Sequence, residues 1–178
     1  MKRIFIIGHS GSGKTTLAKE LGSKLNIDAY DIDDYYWLPS WQERKTEDFI
    51  KLISNVIDKE TWVFSGNSSK LKNLLWDNCD TVIWLDYSIM RCMYGALKRM
   101  IHNIMKRESV CNGNCESFTK TFSNIFDILF SYNKKKKAYG KYFENKIEGK
   151  DYIVFKAHKE TDHWLKGFDK AYSSNKHI

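Results

Sequence analysis

Apolar positions along the chain follow two rhythms. Ile4-Phe5-Ile6-Ile7, Trp62-Val63-Phe64, Val82-Ile83-Trp84-Leu85 and Tyr152 to Phe155 are continuous runs, the form taken by strands buried on both faces of a parallel sheet. Tyr30 to Ile32 adds a shorter candidate strand. Between the runs the spacing turns helical. Leu17, Leu21 and Leu25 recur every fourth residue, and Phe49, Leu52, Ile53, Val56 and Ile57 make one apolar face. Thr46 reads as the cap of that second helix, with Glu47 and Asp48 complementing the dipole of its first turn. Ser88 reads as the cap of a long helix carrying Ile89, Met93, Leu97, Met100, Ile101 and Ile104 on one side. After a polar break at 108–117, Phe118, Phe122, Ile125, Phe126 and Leu129 resume the helical spacing, and Trp164, Leu165 and Phe168 mark a last helix. Strands alternating with helices predict an α/β fold: a parallel sheet with right-handed crossovers, whose ligands sit at the carboxyl ends of the strands.

Composition narrows this picture only modestly. With 178 residues, 42% hydrophobic and 29% charged, the chain fits one domain with a full core. No apolar run is long enough for a membrane helix, and the apolar stretch at the N-terminus is too short for a signal peptide, so a cytoplasmic protein is expected. The net charge of +7 favours anionic partners such as nucleotides, phosphorylated metabolites or nucleic acid, although a solvated lysine-rich surface explains it equally well. Cys79, Cys92, Cys111 and Cys115 are expected as reduced thiols. Cys111 and Cys115 lack the further local ligands that a structural zinc site needs.

The chemistry begins after the first apolar run. Gly8-His9-Ser10-Gly11-Ser12-Gly13-Lys14-Thr15 fits the phosphate-binding pattern G-x-x-x-x-G-K-[ST] at every fixed position. Glycines let such a loop curl until successive N–H groups point inward, and these donors, with the helix N-terminus, hold phosphate oxygens. Gly8, Gly11, Ser12, Gly13, Lys14, Thr15 and Thr16 are therefore the expected nucleotide contacts. Lys14 would reach the β and γ phosphates, the Thr15 hydroxyl would ligate Mg²⁺, and Thr16 would touch the α phosphate. The strand before the pattern and the amphipathic helix after it supply its required context.

Around the loop the candidates are less distinctive. Asp33, past the short second strand, is expected as metal partner or substrate anchor, and Asp86, closing Val82–Leu85, as a second metal candidate. Either could instead cap a turn. Arg91, Arg99 and Arg107 on the long helix are expected to neutralise charge on a migrating phosphoryl group, and the break at about 107–118 to form a lid that excludes water. Trp37 and Trp41 could stack a ring of an acceptor, and Gly66-Asn67 could line the same pocket.

Taken together, the Gly8–Thr16 loop, Asp33, the Trp37…Trp41 pair, Gly66-Asn67 and the Arg91…Lys98-Arg99 helix resemble the DNA topology modulation (FlaR-related) proteins, a branch of adenylate-kinase-like P-loop kinases. Cys115-Glu116 before Phe118 resembles that family's Cys-Pro-Glu-x-Phe stretch, without its proline. The resemblance implies a three-layer P-loop NTPase fold: a five-stranded parallel sheet in the order 2-3-1-4-5, helices on both faces and a small helical lid. It also implies ATP and Mg²⁺ as ligands. The chain departs from the family at Ser65, which stands where an acid is usual. The Asp31-x-Asp33 spacing also resembles shikimate-kinase-like enzymes, whose acids serve magnesium and a substrate hydroxyl. No Asn-Lys-x-Asp stretch for guanine is present.

Two functions from different classes follow. The first is an ATP-dependent kinase moving the γ-phosphoryl group to a nucleoside, nucleotide or hydroxylated metabolite. The second is a nucleotide-binding regulator with little transferase activity, possible effects on DNA topology, and phosphate contacts from Lys134–Lys137. Nucleic acid and membrane are not expected partners, and the sequence leaves the oligomeric state open.

Overall fold

The computed structural model describes residues 1–106, 109–115 and 118–174. Five strands build the central sheet: β1 (Arg3–Gly8), β2 (Ala29–Asp31), β3 (Trp62–Ser65), β4 (Thr81–Leu85) and β5 (Asp151–Phe155). They are all parallel and lie in the order β2-β3-β1-β4-β5, as the motif resemblance implies. Among the described residues, seven α-helices connect and cover them: α1 (Lys14–Leu25), α2 (Ile32–Tyr36), α3 (Thr46–Ile57), α4 (Lys72–Asn78), α5 (Ile89–Lys106), α6 (Phe118–Glu144) and α7 (His158–Ser174). No helix among the described residues is long and apolar enough to cross a membrane.

The sheet divides the core into two layers. In β1, Phe5 and Ile7 face one layer with Phe49, Ile53, Leu71, Leu75 and Trp76, from α3, α4 and the residue before α4. Ile4 and Ile6 face the other with Leu17, Leu21, Cys92, Ala96 and Leu165, from α1, α5 and α7. None of the four β1 side chains is more than 2% exposed, so each contributes on the order of 1.5–3 kcal/mol of apolar burial. This pins the first strand, and with it the loop at its carboxyl end.

Three local expectations need correction. Lys45 stands at the cap of α3, without a side-chain cap bond, and Thr46 is the first helical residue. The α5 face is rotated: Cys92, Ala96, Met100 and Asn103 are buried, whereas Leu97 and Ile101 are exposed beside Met90, Tyr94 and Met105. The cause is steric, because α5 approaches the loop backbone so closely that only its small residues fit there. Finally, the segment expected as a helical lid is a two-stranded antiparallel ribbon among its described residues, pairing Ser109–Val110 with Asn114–Cys115. On α6, Ile128 and Tyr139 are buried while Phe126 and Leu129 face solvent.

Candidate active site

The loop leaves β1 at Gly8 and enters α1 at Lys14. Gly11 has φ +75 and Gly13 has φ +90, a left-handed backbone that side chains with a Cβ rarely adopt. A Cβ at Gly11 would lie 2.1 Å from the Cys92 carbonyl oxygen and 2.6 Å from the Ala96 nitrogen. From the other side, a Cβ at Gly95 would lie 2.1 Å from the Gly11 carbonyl oxygen. Loop and helix therefore touch backbone to backbone. In front of Gly13 a Cβ would meet nothing within 4 Å, which leaves the mouth of the cradle open.

Asn67 holds the start of the loop. Its amide donates to the Gly8 carbonyl, and its Oδ1 lies 3.5 Å from the Gly8 nitrogen. Gly66 packs on Ile32, where a Cβ would meet the Ile32 Cβ at 2.8 Å. Both residues, expected to line an acceptor pocket, fix backbone at this strand edge. His9 is buried and stacks on Tyr132 of α6, ring centroids 4.5 Å apart, so α6 covers the loop from above.

The charged groups converge on the carboxyl ends of β1 and β2. Lys14 Nζ donates to the His9 carbonyl at 2.9 Å. Thr15 Oγ1 donates to Asp31 Oδ2 at 2.5 Å. The other oxygen of Asp31 accepts from the Asp33 nitrogen at 3.1 Å and so caps α2. Asp33, on the first turn of α2, stands within electrostatic reach of Lys14. Burial pushes the Asp33 carboxyl above the usual carboxylate range, with Asp31 adding to the shift and Lys14 and Arg99 opposing it. Burial likewise lowers the Lys14 ammonium, against the pull of Asp33 and Asp31 and with the help of Arg99. Lys14, Asp31, Asp33 and Arg99 thus form one electrostatic group.

Asp31 was named in the sequence only through its spacing to Asp33. Its register partner on β3 is Ser65, the position where an acid is usual in the family the motifs resemble. Asp86, expected as a metal partner, pairs with Lys136 of α6 at 2.9 Å. Lys136 belongs to the basic run considered for nucleic acid. Arg91 lies over the Tyr94 ring, 5.7 Å from its centroid, and its guanidinium would stand 3.3 Å from a Cβ at Gly95, beside the phosphate loop. Arg107 is outside the described residues.

A second element missed by the sequence reading closes the cleft. Trp37–Leu38 and Gln42–Glu43 pair as a small ribbon after α2. The 109–115 ribbon binds it through asparagines. Asn112 donates to the carbonyls of Asp34 at 2.7 Å and Trp37 at 2.6 Å. Asn114 donates to the Leu38 carbonyl at 3.0 Å and accepts from the Trp41 nitrogen at 2.7 Å. The Trp41 indole N–H donates to the Cys115 carbonyl at 3.2 Å, which ties this tryptophan to the lid. Trp37 and Trp41 meet edge to face, centroids 5.6 Å apart. The Cys111 thiol hydrogen-bonds Asp34, and burial with Asp33, Asp34 and Asp31 pushes it up to about 12. A cavity of about 290 Å³ lined by Trp76, Lys141, Tyr142, Asn145 and Ile147 is remote from this chemistry. It belongs to the amino end of the sheet, where Asp80 binds the Lys2 and Arg3 nitrogens.

Sheet order, loop and acid-bearing cleft define a P-loop kinase fold, and the comparisons agree. The chain belongs to the family of the uncharacterized protein YqaC of Bacillus subtilis, with 30% identity over 128 residues that cover 68% of each chain. It is also 33% identical to a shikimate kinase of Sulfurihydrogenibium sp. (strain YO3AOP1) over 105 residues, half of this chain and 63% of that enzyme. The crystal structure of shikimate kinase from Bacteroides thetaiotaomicron superposes over 97% of this chain and 98% of its own, with a TM-score of 0.53 and 15% identity, a likeness of fold. No family model matches the sequence.

Proposed function

We propose that the protein is an ATP-dependent phosphotransferase that moves the γ-phosphoryl group to a hydroxyl of a small-molecule acceptor in the cytoplasm. The observation that carries this reading is the convergence of Lys14, Thr15, Asp31, Asp33 and Arg99 on one strand edge. The loop amides and Lys14 would hold the β and γ phosphates. Thr15 and Asp31 present a hydroxyl and a carboxylate within 2.5 Å of each other, hard oxygen donors of the kind magnesium takes. Bound there, Mg²⁺ would neutralise charge on the phosphate oxygens.

Asp33 would orient the acceptor hydroxyl and accept its proton. Its raised pKa suits this role, since a base is most effective when its pKa is near the working pH. Arg99, sharing the field of Lys14 and Asp33, would balance negative charge as the phosphoryl group passes. The lid ribbon, bonded to the Trp37–Glu43 ribbon, would keep water from the transferring group. The relatives whose names carry a function are shikimate kinases, which supports a hydroxyl acceptor in this chain's case. DNA topology modulation remains the finer family reading of the motifs, with no part for DNA in the chemistry.

The test is ADP release from ATP and Mg²⁺ across nucleosides, nucleotides and hydroxylated rings, with Lys14→Ala as control. The expected result is acceptor-dependent release, lowered at least about a hundredfold in the control. Slow hydrolysis that no acceptor stimulates would sink the reading.

A further inference from the structure

Helix α5 has three faces. Cys92, Ala96 and Met100 point into the core. Gly95 meets the phosphate loop with the Arg91 guanidinium beside it, and Arg99, one turn further on, acts on Lys14. The third face is apolar and exposed: Met90, Tyr94, Leu97, Ile101 and Met105. Spacings of four, three, four and four keep these side chains within an arc of about 80°. Such a seam is what one helix presents to another. The neighbouring α6, which packs against α5, adds Phe126, Leu129 and Phe130, with the two phenyl rings stacked at 6.3 Å between centroids. Eight of the twelve large apolar side chains exposed among the described residues thus lie on two adjacent helices. Single exposed apolar residues need no explanation, whereas a gathered set marks an interaction surface.

Area and charge decide the occupant. The eight residues leave about 1,000 Å² accessible, and each partner in a stable protein interface buries about 800 Å². A lipid surface fits less well. A helix lying on an anionic membrane turns its cations to the headgroups, whereas Arg91 and Arg99 belong to the face at the phosphate loop. A second copy brings the same apolar face, which is its own complement about a two-fold axis and calls for no opposite charge. We propose that a second copy of this chain docks on the exposed face of α5 and α6, giving a two-fold dimer. The inference is independent of the kinase reading, because it concerns a face of α5 other than the one at Gly95.

Sedimentation equilibrium of the full chain at micromolar concentrations tests it, and the expected species is a dimer. Ile101→Glu combined with Met105→Glu would bury unpaired charges in the interface, so the dissociation constant should rise at least about a hundredfold. Phe130→Glu, on α6, should act in the same direction. Far-UV circular dichroism shows whether each variant is folded, as expected for positions that face solvent within one chain. If one variant fails to fold, the other decides. A monomer at every concentration, an assembly larger than two, or a dimer that the folded variants leave intact overturns the proposal. So does capture of the chain by phosphatidylserine vesicles that the same variants abolish, which would make the face a lipid-binding surface.

Discussion

The two halves of the cleft are held together by different means. The phosphate half is fixed by backbone. Gly11 meets α5 without a side chain between them, Asn67 clamps Gly8, and four buried residues of β1 anchor the loop's start. The acceptor half is fixed by side-chain hydrogen bonds. Two ribbons, each with two residues per strand, are joined by Asn112, Asn114 and the Trp41 indole. Close packing gives a rigid half that keeps its form before any ligand arrives. Hydrogen bonds are worth about 1 kcal/mol net each, so the second half is held less rigidly than the first.

Substitutions can break that contrast, beginning with the rigid half. Gly11→Ala puts a methyl group into the α5 backbone at a left-handed φ, and we expect a loss of about 3 kcal/mol or more of folding stability. Urea unfolding measures it; a loss under about 1 kcal/mol would mean that the loop and α5 are not in close contact.

Asn114→Ala acts on the other half. It removes bonds to Leu38, Trp41 and Cys111, and kcat/KM for the acceptor should fall about tenfold while triphosphate affinity stays unchanged. Acceptor-independent hydrolysis should rise, because water gains entry. An equal loss in nucleotide affinity would show the halves to be one unit.

A pH series sharpens the boundary between them. The Asp33 carboxyl is raised in the folded protein, so the folded state holds that proton more tightly than the unfolded chain does. Its contribution to stability is full below the ordinary carboxylate pKa and is lost as pH climbs through the raised value. Asp33→Asn should therefore raise the Tm relative to the unsubstituted protein near pH 7, and the difference should shrink toward about pH 3, where both carry a neutral group. Melting curves with the same offset at both pH values would contradict the raised Asp33 carboxyl.

The smallest effect belongs to Lys136→Ala. The partner Asp86 is nearly buried while Lys136 is 44% exposed, so the loss should be about 1 kcal/mol. The Mg²⁺ requirement should not change, and a shift in metal affinity would return Asp86 to the metal site.

The same contrast governs what could be read from sequence. Strand β1, the loop and α3 were legible because an apolar run, a glycine pattern and a 3.6-residue period are local signals. The inward face of α5 was not. Counting apolar residues selects Leu97 and Ile101, but the buried face is Cys92, Ala96, Met100 and Asn103, set by contact with a loop about 80 residues earlier in the chain. A reading that weighed small residues, Cys92, Gly95 and Ala96 on one face, could have found it. Asn112 and Asn114 carry no period, and their partners lie 73 to 78 residues away except for Cys111. Asp31 was visible as a spacing, but its bond to Thr15 depends on strand β2 lying beside β3.

The meeting of Gly11 and Gly95 has a mechanical consequence. With no side chain between them, the two backbones form a bearing near the middle of α5. From Gly95 to the end of the helix at Lys106 is an arm of about 16 Å. A tilt of about 10° at the bearing sweeps the ribbon end through about 3 Å, the length of one hydrogen bond. The loop end of this lever barely travels, so on the proposed reading α5 would swing the 109–115 ribbon off the acceptor side while the loop at Gly11 stays in place.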